Sequence, residues 1–181
     1  MTEDELREQL AKYSFAAIQG TFYRATLLGR DPATASYYGG RWMPPDAVAV
    51  LYMSFSREGA LAEMAFRLGL NTPIPRISIN VHRLKVYSPN GLALSKKNLT
   101  DLEVDFSKYQ DLYYSWTEKI GLAAFQIGAT AIQVPSARWS TENLIAIDDT
   151  TGSTTLELLD SEVVDWIAWA QEHAPHFLVN D

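Results

Sequence analysis

The sequence predicts an α+β fold, and three observations lead there. Ile77, Ile79 and Val81 alternate with Ser78, Asn80 and His82, the period of a strand with one buried face. Between Tyr109 and Ile127, apolar residues recur at Leu112, Trp116, Ile120, Ala123, Ala124 and Ile127, the spacing of an amphipathic helix. Finally, 181 residues with 47% hydrophobic content show neither internal repeat nor linker, so one domain over 1–181 with a continuous core is expected. The strands then most simply join one mixed or antiparallel sheet with helices packed against it.

In chain order, Leu6, Leu10, Tyr13 and Ala17 line one face of a helix expected over 3–18, peripheral to the rest. Thr21 to Arg24 suits a strand, and the glycines, prolines and aspartates between Gly29 and Asp46 read as loop. Ala47 to Met53 fits a buried strand. Ser54 or Ser56 is placed to cap a helix over 57–68, where Leu61, Met64, Ala65 and Leu68 form the apolar stripe and Gly69 the stop. The strand at Ile77 extends through Leu84 to Tyr87, and Pro89 to Gly91 reads as a turn. After the long helix at 109–127, Ala131 to Val134, Asn143 to Ile147 and Thr154 to Leu158 read as strands, before a peripheral terminal helix over 161–172.

Composition removes several functions. Without cysteine there is no disulfide, thiolate nucleophile or cysteine-ligated metal site. A net charge of -7, with the 15 basic residues scattered, argues against a nucleic-acid-binding face. No apolar run approaches the roughly 20 residues a membrane span needs, and the acidic start over 1–12 is unlike a secretory signal, so a cytoplasmic protein is expected. Neither G-x-G-x-x-G nor the phosphate-binding G-x-x-x-x-G-K occurs. His173 and His176 are separated by a helix-interrupting Pro175 and read as surface histidines, so no metal is expected; His82 reads as a solvated strand position.

Four segments set polar residues against apolar structure: Tyr23-Arg24, Gly39-Gly40-Arg41-Trp42, Tyr52 through Glu63, and Val134-Pro135-Ser136-Ala137-Arg138 leading to Asn143. Each has an ordinary reading. Glu63 lies largely off the apolar stripe, one turn before Arg67, as a solvated ion pair would, although Ala60 and Phe66 flank it and leave room for a cleft wall. Arg41 alone is a surface arginine after a turn, Tyr52 a core residue beside Val48 and Val50, and Ser136 a turn hydroxyl. In this order and spacing, however, the segments from about Phe22 to Ile147 resemble the RES domain, the toxin of bacterial toxin–antitoxin pairs. The loop after Trp42 differs, with Met43 and Asp46 where that family usually carries Asn and then Gly.

The resemblance implies a fold related to ADP-ribosyltransferases and cleavage of the nicotinamide–ribose bond of NAD, which is substrate rather than cofactor. ADP-ribose then passes to water or phosphate, or, in the alternative, to a host protein. It implies catalytic roles for Glu63, Arg41, Tyr52 and Ser136, and NAD binding by Arg24, Arg41, Tyr52, Ser136 and Asn143. Nicotinamide leaves as a neutral group, so no histidine acid is needed. A carboxylate suits the positive charge that develops on the ribose, and the arginine fork suits a diphosphate. The implied partner is an antitoxin with a helix-turn-helix domain whose C-terminal part blocks the cleft. A non-catalytic binding module with the same fold is the competing class.

Overall fold

A computed structural model describes residues 1–148 and 152–178. In order, the elements are α1 (Glu3–Leu10), β1 (Phe15–Leu27), β2 (Val50–Ser54), α2 (Arg57–Gly69), β3 (Ser78–Ala93) and α3 (Lys96–Asp101). They continue with α4 (Ser115–Gln126), β4 (Ala131–Pro135), β5 (Glu142–Ile147), β6 (Thr155–Asp165), α5 (Trp166–His173) and a 3-10 turn, Pro175–Leu178. The six strands form one mixed sheet in the order β1-β2-β5-β4-β3-β6, antiparallel throughout except for β3 beside β4. Since β1 also pairs along β3, five strands close into a ring of pairings and β6 extends it.

All five ring strands meet in one cluster, with Phe22, Leu51, Met53, Leu84, Ala131 and Leu144 buried together. On the opposite face of β4 and β5, α1 and α4 share a core with Trp42, Met43, Ile132 and Ile145. The helices α2 and α5 bury Leu61, Met64, Trp166 and Trp169 against Ile79 and Val81 of β3. No helix among the described residues is long and apolar enough to cross a membrane.

Local chemistry sets the boundaries. Thr2 and Glu5 form a reciprocal capping box on α1, and Ser56 caps α2 by accepting from Gly59. The expected helix over 3–18 stops at Leu10, because Phe15 to Ile18 join the β1–β3 ladder opposite Leu92 to Ser88. The expected turn at Pro89 to Gly91 is absent: β3 runs through it, and the register shift between Ala16 and Ile18 falls beside Pro89, where a missing N–H costs the ladder nothing. Gly91 permits that close passage, since a Cβ there would sit 2.4 Å from Ile18.

Three further expectations are corrected. The helix expected over 109–127 begins at Ser115; Tyr109 is instead drawn into the core, with its hydroxyl donating to the Pro135 carbonyl at 2.7 Å. A short helix, α3, precedes that loop and carries its own Ser95–Asn98 capping box. Residues 161–165, expected as helix, pair with β3, and Asp165 caps a helix that starts only at Trp166. His82 is buried rather than solvated, because its side of β3 is also covered, as the buried Leu84 and Val86 at alternate positions show; its ring nitrogens meet Thr26 Oγ1 at 2.8 Å and Ser161 Oγ at 2.7 Å.

Candidate active site

Glu63 projects from α2, whose apolar stripe is buried on the far side of the wheel. Its carboxylate is not paired with Arg67; Oε1 accepts from Ser136 Oγ at 2.8 Å and from Asn143 Nδ2 at 2.7 Å. Ser136 follows β4 in a tight turn, where its Oγ also accepts from the backbone N–H groups of Arg138 and Trp139 at 3.1 and 3.2 Å. Those two donors orient the hydroxyl so that its proton points at Glu63. Asn143 stands in β5, opposite Ser54 and Val134 of the strands on either side. Sheet and helix thus fix the carboxylate between two donors.

Arg41 is held by the tight loop before β2. Gly40 and Met43 exchange backbone hydrogen bonds, and Gly39 takes φ 71, with any Cβ there 2.6 Å from the Pro45 nitrogen. Asp46 takes φ 62, the backbone conformation a glycine favours, so this loop reaches that geometry with an aspartate. Trp42 and Met43 are buried beneath it, and the Trp42 carbonyl lies so near α4 that a Cβ on Gly121 would be 1.6 Å from it. The Arg41 guanidinium sits 5.1 Å from the ring centre of Tyr109 and 4.5 Å from that of Tyr114, and donates to the Asp111 carbonyl at 3.2 Å.

Tyr52 joins the two halves. Its hydroxyl accepts the Trp42 N–H at 3.1 Å, and Gly40 leaves room for it, since a Cβ there would lie 2.8 Å from that oxygen. Burial raises the Tyr52 pKa well above the ordinary phenol range; the Trp42 N–H opposes the rise, and the charges of Glu118 and Glu63 add to it. Tyr52 is therefore a neutral phenol, and with its oxygen already accepting, its proton is free to donate. Burial raises the pKa of Tyr109 too, with Arg41 opposing and Glu63 adding. The charges of Arg41 and Glu63 both reach Tyr52, Tyr109 and Arg138, so these side chains lie close together.

Of the site residues expected from sequence, Glu63, Ser136 and Asn143 are directly bonded, and Arg41 and Tyr52 meet through Trp42. Arg24 is placed elsewhere: its guanidinium donates to the Pro32 carbonyl at 2.6 Å and the Thr34 carbonyl at 3.1 Å, bracing the loop after β1. Tyr109 and Tyr114 enter the site without having been expected there, and Phe66 and Arg138, noted in sequence beside Glu63 and Ser136 but with no expected role, join them. The aromatic pair beneath Arg41 was hidden by apolar spacing that reads as helix. His173 and His176 lie against Trp169 and Phe177 respectively.

A six-stranded mixed sheet with helices on its faces, and a carboxylate bound between a serine and an asparagine near a stacked arginine, define an α+β protein with a polar cluster built across sheet and helix. The chain matches the RES domain over residues 15–164 and belongs to that family. Among solved structures, a chain from the crystal structure of the M. tuberculosis MbcT-MbcA toxin-antitoxin complex shares the fold with a TM-score of 0.76 at 17% identity; the match covers 94% of this chain and 98% of that one. No curated protein sequence matches significantly.

Proposed function

We propose that this protein is a toxin that consumes NAD, cleaving the nicotinamide–ribose bond and passing ADP-ribose to water or phosphate, and that a cognate antitoxin silences it. The observation that carries this reading is Glu63 bound by Ser136 and Asn143, within electrostatic reach of Tyr52, which the charge of Arg41 also reaches. Membership of the RES family and a fold shared with a chain of a toxin-antitoxin complex support it.

The chemistry follows from these side chains. The bond from the ribose carbon to the ring nitrogen breaks with its electron pair on nitrogen, so cationic pyridinium becomes neutral nicotinamide and positive charge moves to the ribose. The fixed Glu63 carboxylate stabilises that charge and receives hydrogen bonds from an incoming acceptor. Because Ser136 and Asn143 hold the carboxylate in place, little reorganisation is needed as the charge develops. Arg41, backed by two aromatic faces, binds the diphosphate, while Tyr52 offers a neutral O–H to a ribose hydroxyl or the carboxamide.

Incubating the purified chain with NAD, with and without phosphate, and identifying products by mass spectrometry tests the reading. Release of nicotinamide with ADP-ribose or its phosphorylated form is expected; intact NAD after prolonged incubation rejects it. Expression of the chain alone should deplete cellular NAD and arrest growth, and co-expression with an antitoxin bearing a helix-turn-helix domain should restore both by occluding the cleft. Undiminished NAD binding by the purified toxin–antitoxin complex would exclude occlusion.

A further inference from the structure

Arg138 leaves the Ser136 turn and reaches both the segment before α4 and the Phe66 ring of α2. Its Nη1 donates to the Gln110 carbonyl at 2.6 Å, and its guanidinium carbon lies 3.4 Å from the centre of the Phe66 ring. Arg41 donates to the carbonyl of the very next residue, Asp111, and is likewise laid on aromatic rings. Two guanidinium heads are therefore hung from the carbonyls of consecutive residues, and the charge of Arg41 reaches Arg138. Neither arginine has an ion-pair partner among the described residues. Among the described residues, Arg138 Nη2 is buried without a well-placed acceptor, although the Tyr114 phenol lies near the guanidinium, and Asn143 Oδ1 is buried without a donor.

A buried donor without a partner is costly, and two cations held side by side repel each other unless an anion lies between them. Both features are resolved by the same occupant. We propose that Arg138 is a second anion-binding residue, forming with Arg41 a two-arginine clamp for the diphosphate of the ligand and setting the preference for phosphate-bearing over phosphate-free nucleosides. The assignment rests on the dinucleotide reading above. Stacking and the carbonyl bonds fix both heads in advance, so the bidentate geometry of each fork is available with little loss of side-chain freedom.

Titration calorimetry of the full chain with inorganic pyrophosphate, ADP-ribose and nicotinamide riboside tests it. Arg138→Ala should weaken pyrophosphate and ADP-ribose roughly ten- to hundredfold, the loss typical of one charge-assisted pair, while leaving the much weaker nicotinamide riboside unchanged. In turnover, KM for NAD should rise by a similar factor with kcat nearly constant. Arg138→Lys, which keeps length and charge, covers the case in which the alanine variant fails to fold; it should restore part of the pyrophosphate affinity. Equal pyrophosphate binding by wild type and folded variants, or a loss shared equally by nicotinamide riboside, overturns the clamp, as does wild type that binds no pyrophosphate. Wild type that binds pyrophosphate through Arg138 yet never cleaves NAD keeps the clamp and rejects the dinucleotide reading.

Discussion

Replacing Glu63 with glutamine removes a charge while leaving the shape of the site. Both hydrogen bonds to the carboxylate end on one oxygen, Oε1, so the glutamine amide oxygen can accept from Ser136 and Asn143 in the same places. What changes is the strength of two charge-assisted bonds, each weakened by about half, for a cost of about 1–2 kcal/mol of stability. For a chain of this length that lowers the melting temperature by about 2–8 °C. The transition state loses more, because the positive charge on the ribose faces a dipole instead of an anion; fixed groups of this kind contribute about 2–4 kcal/mol, or about 30- to 1000-fold in rate. Nicotinamide release under saturating NAD, followed alongside the melting curve, separates the two effects. A folded Glu63→Gln variant turning over within threefold of wild type would refute the assignment of charge stabilisation to this side chain.

Arg41→Lys retains a cation but loses both the fork and the flat face laid on Tyr109 and Tyr114, so KM for NAD should rise at least about tenfold; full rescue would show that charge alone suffices. Gly121→Ala drives a methyl into the Trp42 carbonyl, which should cost about 3 kcal/mol or more in chemical unfolding and displace the Arg41 loop; wild-type stability would contradict the 1.6 Å approach. His82 carries a pKa held below the ordinary 6.5, first by burial and then by the charge of Arg24. The unfolded chain takes up this proton as pH falls through about 6.5 and the folded chain does not, so its contribution is constant above that pH and turns destabilising below it. Melting temperatures at pH 7.5 and 5.5 should therefore differ more for wild type than for His82→Gln, and identical differences would remove His82 from the account.

Local signals in the sequence carried much of this fold. The stripe of Leu61, Met64, Ala65 and Leu68 with the Ser56 cap locates α2 to within a residue of its observed ends, and the alternation around Ile79 marks β3. The failures share a physical origin. Phe15 to Ile18 and Ser161 to Asp165 have helix-compatible sequences, yet their backbone partners lie in β3, far along the chain, and ladder formation outweighs weak intrinsic preference. Covering β3 from both sides buries His82, which alternation assigns to solvent. At the site, the helical wheel sets Glu63 apart from the stripe, but its two donors come from other elements, so only the order of whole segments hinted at the grouping. The rings of Tyr109 and Tyr114 had no such signal, because 109–114 carries apolar spacing continuous with α4, and Arg138, though inside a recognised segment, had no expected role.

The span between Glu63 and its donors has a consequence for how the protein is made. Ser136 lies 73 residues and Asn143 80 residues after Glu63. At translation rates of about 5–20 residues per second, roughly 4 to 16 s separate the emergence of the carboxylate from that of the groups that hold it. The ring of strands closes only after β4 and β5 are added between β2 and β3, so the ring and the grouping around Glu63 are completed late in synthesis. A chain abandoned before residue 136 carries Arg41, Tyr52 and Glu63 but lacks both groups that hold the carboxylate.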